Sequence, residues 1–333
     1  MNKVRFAILG FGHHATRRLV PAFARSSEAS FVGLWRRNAE ATANDAAALG
    51  VTAFESAEAL CASPDVDAIF ITSPDAMHLE DARMAFAHGK AVLCEKPLAM
   101  NAGQAYEMHT LAEAAGVLFG VGQNFRFNRS VEFLRDQIAA GRIGTPHLVH
   151  AQYAYLGTAA PRKWITDPAL ACGGPIADVG VHLIDTLRFL LADEVKSISV
   201  LAAQDAASGE VEAYATMQLQ MVRGAYANIT VTARAPYRTL VEVTGTEGVF
   251  VAENGLTVER PVEVALRRSG ELLETQTFSN ADGYVRMLDA FSHAFRDPTQ
   301  KVSFSASGRD GITNQRILDA AYRSWHSGLR ETL

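Results

Sequence analysis

The chain has 333 residues, 48% hydrophobic and 20% charged, longer than one hydrophobic core usually organises and too apolar for disorder. A formal net charge of -5 leaves no electrostatic footprint for nucleic acid or an anionic membrane surface. Cys61, Cys94 and Cys172 are far apart and form no CxxC pair, which argues against a disulfide framework or a thiolate zinc site and fits a reducing cytoplasm. No apolar run approaches the ~18 residues of a membrane helix. The stretch MNKVRFAILG is too briefly apolar for a secretory signal, and Arg17-Arg18 precede no apolar segment suited to twin-arginine export.

Residues 3–9 (KVRFAIL) predict a short buried strand, followed by a glycine turn at 10–12 and a helix from His14 to Arg25. Then come a strand at Phe31 to Trp35, a helix at Ala39 to Leu49, a strand at 66–72, a helix at 79–88 and a strand at 90–94. A helix over Ala102 to Ala115 and a strand at Val117 to Val121 complete a β/α alternation that indicates a parallel sheet covered on both faces. After Gly122 the pattern changes. A helix at 129–140, a strand at His147 to Tyr155 and a helix at Ile176 to Leu191 precede strand-like runs at 196–203, 211–220, 224–233, 238–244 and 262–267. In AYANITVTA, Ala227, Ile229 and Val231 alternate with Asn228, Thr230 and Thr232, the period of a strand with one apolar face. Helices at 284–296 and 309–327 close the chain. The expected organisation is a dinucleotide-binding α/β domain at 1–122 and a second α/β domain at 123–333 with a large, mainly antiparallel sheet.

Gly10-Phe11-Gly12-His13-His14-Ala15 fits G-x-G-x-x-G/A between a strand and a helix. The first glycine permits the tight turn, the second lets backbone approach a pyrophosphate, and Ala15 allows close helix–strand packing. Phosphates are drawn by the free N–H groups and dipole of the helix start. His13 and His14 are adjacent and do not aim at a common ion, so they read as polar residues near the cofactor. An NAD enzyme usually places an acid at the end of the second strand. Here that strand ends Trp35-Arg36-Arg37. Guanidiniums suit a 2′-phosphate, and Trp35 or an arginine suits stacking on adenine, hence NADP.

Lys96 follows the fourth strand at the carboxyl edge of the sheet, where doubly wound folds place ligands, and Pro97 follows it. Asp178 and His182 stand four apart on a predicted helix, with Asp185 three further on. A carboxylate beside an imidazole suits proton transfer, and the pair also suits two metal ligands, but no third ligand is evident and no metal is expected. Tyr153, Tyr155, Trp164, Tyr237 and Tyr284 are candidates to pack a sugar face, against the commoner role of aromatics in a core.

The chain resembles the Gfo/Idh/MocA oxidoreductases over nearly its full length. The resemblance is carried by the glycine loop, Thr72-Ser73-Pro74-Asp75 with His78, Cys94-Glu95-Lys96-Pro97, Gly173-Gly174-Pro175-Ile176-Ala177-Asp178-Val179-Gly180-Val181-His182, Gly245-Thr246-Glu247-Gly248 and Ala320-Ala321-Tyr322-Arg323-Ser324. It implies a Rossmann domain followed by an α/β domain whose open sheet forms a dimer or tetramer interface. It also implies cofactor contacts from Ser73, Pro74, His78, Glu95 and Lys96, and a cis Lys96–Pro97 bond. His182 is then the acid/base and Asp178 its partner, while Lys96 binds and polarises the substrate oxygen, the two acting as a coupled pair. The chain departs from the family pattern at Asp75, where Asn is frequent, and at Ile165, where Arg often follows the tryptophan. Arg162 or Lys163 is placed to compensate. The expected activity is NADP-dependent hydride transfer to or from a sugar or polyol. Two other classes share the dinucleotide-binding half: a glycoside hydrolase that recycles a retained nicotinamide, and a non-catalytic NADP/sugar sensor.

Overall fold

The computed structural model describes residues 2–157, 162–297, 299 and 304–333. The chain divides into two compact units. Unit one comprises Met1–Gln123, Ala169–Ala171 and Tyr284–Gln315; unit two comprises Asn124–Pro168, Cys172–Gly283 and Arg316–Leu333. A single cut at 122 therefore omits a return of the chain to unit one. Packing explains it: Phe291, fully buried, sits 5.6 Å from Phe6 of the first strand and 5.4 Å from Phe304 between ring centroids.

Unit one is built on β1 (Val4–Leu9), α1 (Val20–Arg25), β2 (Ala29–Trp35), α2 (Ala39–Leu49), β3 (Thr52–Ala53) and α3 (Ala57–Ala62). It continues through β4 (Ala68–Ile71), α4 (His78–Ala87), β5 (Ala91–Cys94), α5 (Ala102–Ala115) and β6 (Phe119–Val121). Its six strands run in the order β3-β2-β1-β4-β5-β6, every pairing parallel. This is the doubly wound order in which the sheet reverses direction between β1 and β4, the place where such folds hold ligands. Strands β4 and β5 are buried throughout, as a sheet covered on both faces requires. Asn38, Ser56 and Asn101 cap α2, α3 and α5 by accepting the N–H of the residue three positions on. The helix expected from His14 opens instead as a π-turn, Ala15–Leu19, before α1.

Unit two comprises α6 (Arg129–Ala139), β7 (Pro146–Leu156) and a π-turn, Ile176–Gly180, that runs into α7 (Val181–Leu191). Then come β8 (Val195–Ala203), β9 (Tyr214–Met221), β10 (Tyr226–Thr232), β11 (Arg234–Gly245), β12 (Val249–Glu253), β13 (Val262–Arg268) and β14 (Glu271–Phe278). In chain order there follow α8 (Gly283–Arg296), which returns to unit one from Tyr284, α9 (Gly308–Ser327), which passes into unit two at Arg316, and the short β15 (Glu331–Thr332) of unit two. Among the described residues the sheet has nine strands, β14-β13-β12-β11-β7-β10-β9-β8-β15, antiparallel except for the β7–β10 pair. The alternation read in β10 is real: Ala227, Ile229 and Val231 are buried and Asn228, Thr230 and Thr232 half-buried. The buried side packs on α6 and α7 through Leu134, Ile184, Leu187, Met217 and Ile229. Among the described residues no helix is long and apolar enough to cross a membrane.

Candidate active site

In unit one, the expected cofactor residues gather at the carboxyl ends of β1, β2, β4 and β5. Gly10 adopts a φ of +85°, a left-handed turn that glycine permits. A Cβ there would lie 2.5 Å from Ser73 N, so the turn and the loop after β4 are pressed together. Gly10 and Phe11 donate their N–H groups to Trp35 O at 2.9 and 3.0 Å, and Thr72 Oγ1 donates to Gly10 O at 3.0 Å. A Cβ on Gly12 would meet only Gly10 O, at 3.8 Å. Packing within the protein does not require that glycine; the open space in front of it fits the approach of a pyrophosphate. The residues present therefore fit a dinucleotide.

At the end of β2, Arg36 and Arg37 stand where an acidic residue would grip a ribose hydroxyl. Arg37 is exposed. Arg36 Nη2 lies 2.8 Å from Asp45 Oδ2 on α2, both side chains about one-third exposed. Trp35 is half-buried beside them. Sequence reasoning missed Asp45, which competes with any phosphate for Arg36.

Lys96 is half-buried after β5, and its bond to Pro97 is cis, as the resemblance implies. Glu95 Oε2 accepts from Lys96 N at 3.2 Å, and Glu95 Oε1 lies 3.0 Å from His14 Nε2. Glu95 thus lies between the lysine turn and the start of the phosphate-loop helix, with His14, expected only as a polar residue near the cofactor, as its neighbour. His13 is exposed. The placement of His78 corrects the expectation of a cofactor contact. Its ring is fully buried, with Nε2 2.9 Å from Ser73 O and Nδ1 3.1 and 3.2 Å from Pro97 O and Leu98 O. Both ring nitrogens face protein carbonyls, so His78 joins the loop after β4 to the Lys96–Pro97 turn. Pro74 and Ser73 are half-buried in that loop, and Ser73 Oγ donates to Asp81. Burial pushes the Asp81 carboxyl up. Cys94 is sealed in β5 with its thiol pushed well up by burial, so it is core.

In unit two, Asp178 sits in the π-turn and His182 in the first turn of α7, both buried. Arg162 grips Asp178 as a fork, Nη1 to Oδ1 at 3.0 Å and Nη2 to Oδ2 at 2.8 Å, while Tyr155 Oη donates to Oδ2 at 2.8 Å. Burial first, then the Asp178 charge, pushes the Tyr155 hydroxyl far up, so it remains a donor. The His182 ring stacks 4.4 Å from Phe125; Phe125 faces Tyr153 at 6.5 Å, and Tyr153 meets Tyr155 and Tyr237 edge-on. Asp185 is a structural anchor: Arg126 Nε and Nη2 donate to it at 2.7 Å each, wholly buried. Arg162 is the member of the cluster that the family resemblance pointed to, with Lys163, only as a substitute for the arginine missing at Ile165. The side chain of Lys163 lies outside the described residues. Trp164 is half-buried, and Tyr284, in unit one, meets the ring of His14 at 5.8 Å.

Residues 4–123 match the oxidoreductase family with an NAD-binding Rossmann fold, and residues 131–251 match the GFO/IDH/MocA C-terminal domain. The 1,5-anhydro-D-fructose reductase of Ensifer adhaerens is 31% identical over 311 residues, covering 92% of each chain. The chain belongs to the Gfo/Idh/MocA oxidoreductase family. A second relative, D-xylose 1-dehydrogenase [NADP(+)] of Haloarcula marismortui, is 25% identical over 97% of this chain and 91% of its own length. Among solved structures, the aldose-aldose oxidoreductase of Caulobacter crescentus, crystallised with glycerol, superposes with a TM-score of 0.90 at 23% identity, each chain fully covered. That likeness shows a shared fold over the whole chain.

Proposed function

We propose that the protein is an NADP-dependent oxidoreductase acting on a CH–OH or C=O carbon of a sugar or polyol in the cytoplasm. The observation that carries the cofactor choice is the end of β2, where Arg36 and Arg37 replace the expected carboxylate. An NADP-dependent xylose dehydrogenase among the relatives supports it. The anhydrofructose reductase and the xylose dehydrogenase support a sugar substrate. When bound, the nicotinamide accepts or supplies the hydride.

The protein's own groups do the rest. Gly10, Phe11, Gly12, His13 and His14 form the phosphate loop; Trp35, Arg36 and Arg37 flank the adenosine end; Ser73, Pro74 and Glu95 shape the nicotinamide end. Lys96 holds and polarises the substrate oxygen as an ammonium donor, and His182 exchanges its proton. Asp178, locked by Arg162 and Tyr155, remains a fixed carboxylate that stabilises an imidazolium at His182. The assembly is a homo-oligomer, dimer or tetramer, formed by a second copy on the outer face of the nine-stranded sheet. That face carries exposed Leu148, Leu201, Tyr214 and Tyr226. Sedimentation showing monomer alone at working concentration would count against this assembly.

The deciding experiment mixes purified protein with NADP(H) and a panel of aldoses, deoxysugars and inositols and follows nicotinamide absorbance. Turnover that disappears in Lys96→Ala and His182→Ala is expected. Sugar release without net redox change would point to glycoside hydrolysis. Tight binding with no turnover, unaltered by Lys96→Ala, would point to a sensor.

A further inference from the structure

The turn that starts the helix bearing Asp178 and His182 has no local cap. Pro175 precedes Ile176–Gly180, and no side chain at that position accepts a hydrogen bond. Buried N–H groups at a helix start need partners. Here they come from far along the chain. Gly174 N donates to Glu212 Oε2 at 3.0 Å, and Ile176 N donates to Glu212 Oε1 at 2.7 Å. Tyr322 Oη of α9, 110 residues further on, donates to Glu212 Oε1 at 3.1 Å. Glu212 is 1% exposed. The glycine pair before the turn makes this possible: a side chain on Gly173 would overlap the Tyr322 hydroxyl, and one on Gly174 would overlap the Glu212 carbonyl. Burial, the largest influence on each, pushes both the Glu212 carboxyl and the Tyr322 hydroxyl up.

We propose that Glu212, seconded by Tyr322, is a positioning residue that fixes the start of this helix and thereby the direction in which Asp178 and His182 point. The site demands an acceptor at both oxygens. A glutamine offers one, and its NH2 must then face the N–H of Gly174 or Ile176. Aspartate is one methylene too short to reach both. This inference rests on the roles given to Asp178 and His182, and not on which sugar is turned over.

The test compares full-length wild type, Glu212→Gln and Tyr322→Phe. The first readout needs no turnover: NMR titration of His182 in protein labelled at histidine. In Glu212→Gln its midpoint should move by about half a unit or more, since even a small reorientation changes its electrostatic surroundings. In turnover, kcat should fall about tenfold or more, as for a displaced catalytic group. The KM for the dinucleotide, held by unit one, should change less than about twofold. Tyr322→Phe should move the same quantities in the same direction by less, and it decides the matter alone if Glu212→Gln does not fold. A lower Tm with the His182 titration and kcat both at wild-type values would reduce Glu212 to a structural cap and overturn the proposal. If wild type turns over no sugar, the functional reading falls while the NMR arm still judges Glu212.

Discussion

Arg36 is the residue at which cofactor choice is most open to measurement. Its guanidinium lies against Asp45, so the proposed 2′-phosphate would bind against an internal competitor. An exposed pair of this kind is worth about 0.2–1 kcal/mol. Asp45→Asn should therefore lower the KM for NADPH by up to about fivefold and leave that for NADH unchanged. Arg36→Asp should cut the NADPH/NADH ratio of kcat/KM by about tenfold or more, the value of a charged hydrogen bond; an unmoved ratio would refute the 2′-phosphate assignment. Asp185 lies at the other extreme. With Arg126 forked onto it and neither group in water, Asp185→Asn should cost roughly 3–5 kcal/mol by leaving a buried cation unpaired. Thermal unfolding would show it, with dinucleotide affinity preserved. The sequence revealed the motif residues because short spacings carry them. It hid how they pair: Arg162 lies 16 residues from Asp178, and Glu212, which no motif marks, lies 36 from Ile176 and 110 from Tyr322, separations at which one sequence holds no pairing signal.

Element boundaries were legible where local chemistry marks them. The reading of α5 at Ala102–Ala115 matches the structure to the residue, because Asn101 caps it and an alanine-rich run fills it. The six-residue α3 escaped notice, being too short for helical periodicity to register. Strands β12 and β14 also escaped. The second is a sheet edge, exposed or half-exposed along its whole length, and so lacks the alternation that betrays a half-buried strand. The loop between β8 and β9 offers a test of charge at this scale. Arg234 Nη2 donates to Asp205 Oδ1 at 2.7 Å, and the same carboxylate accepts from Ala207 N at 2.9 Å. The hydrogen bond from Arg234, ahead of the opposing effect of desolvation, holds the Asp205 carboxyl down at about 2 against the usual 3.8. A lowered folded value means the pair helps above the unfolded value and is lost as acid protonates it. Protection of the Ala207 amide, measured against its intrinsic exchange rate at each pH, should therefore fall as pH goes from about 4 towards about 2. In Asp205→Asn that acid-dependent step should be missing.

At the scale of the whole molecule, the parallel and antiparallel halves follow from the switch in sequence periodicity after Gly122, and both sheets match that reading. The return of Tyr284–Gln315 to unit one carried no local signal, since an amphipathic helix does not announce which sheet it will cover. Its packing yields a firm expectation. A fragment of residues 1–123 lacks Phe291 and Phe304, and burying one such ring contributes about 1.5–3 kcal/mol. It also leaves Val121 N without Ala306 O, its partner at 2.8 Å. That fragment should show no cooperative melt by circular dichroism, whereas the full chain should; a sharp transition in the fragment would contradict this account.

The same return strand of chain bears on synthesis. On the ribosome the glycine-loop half emerges before its last structural piece, Tyr284–Gln315, which is made only after β7 to β14. Until then Phe6 and its neighbours stay partly uncovered on a nascent polypeptide. Such a chain should depend on chaperone holding during elongation, and premature termination should yield aggregation instead of a usable dinucleotide binder.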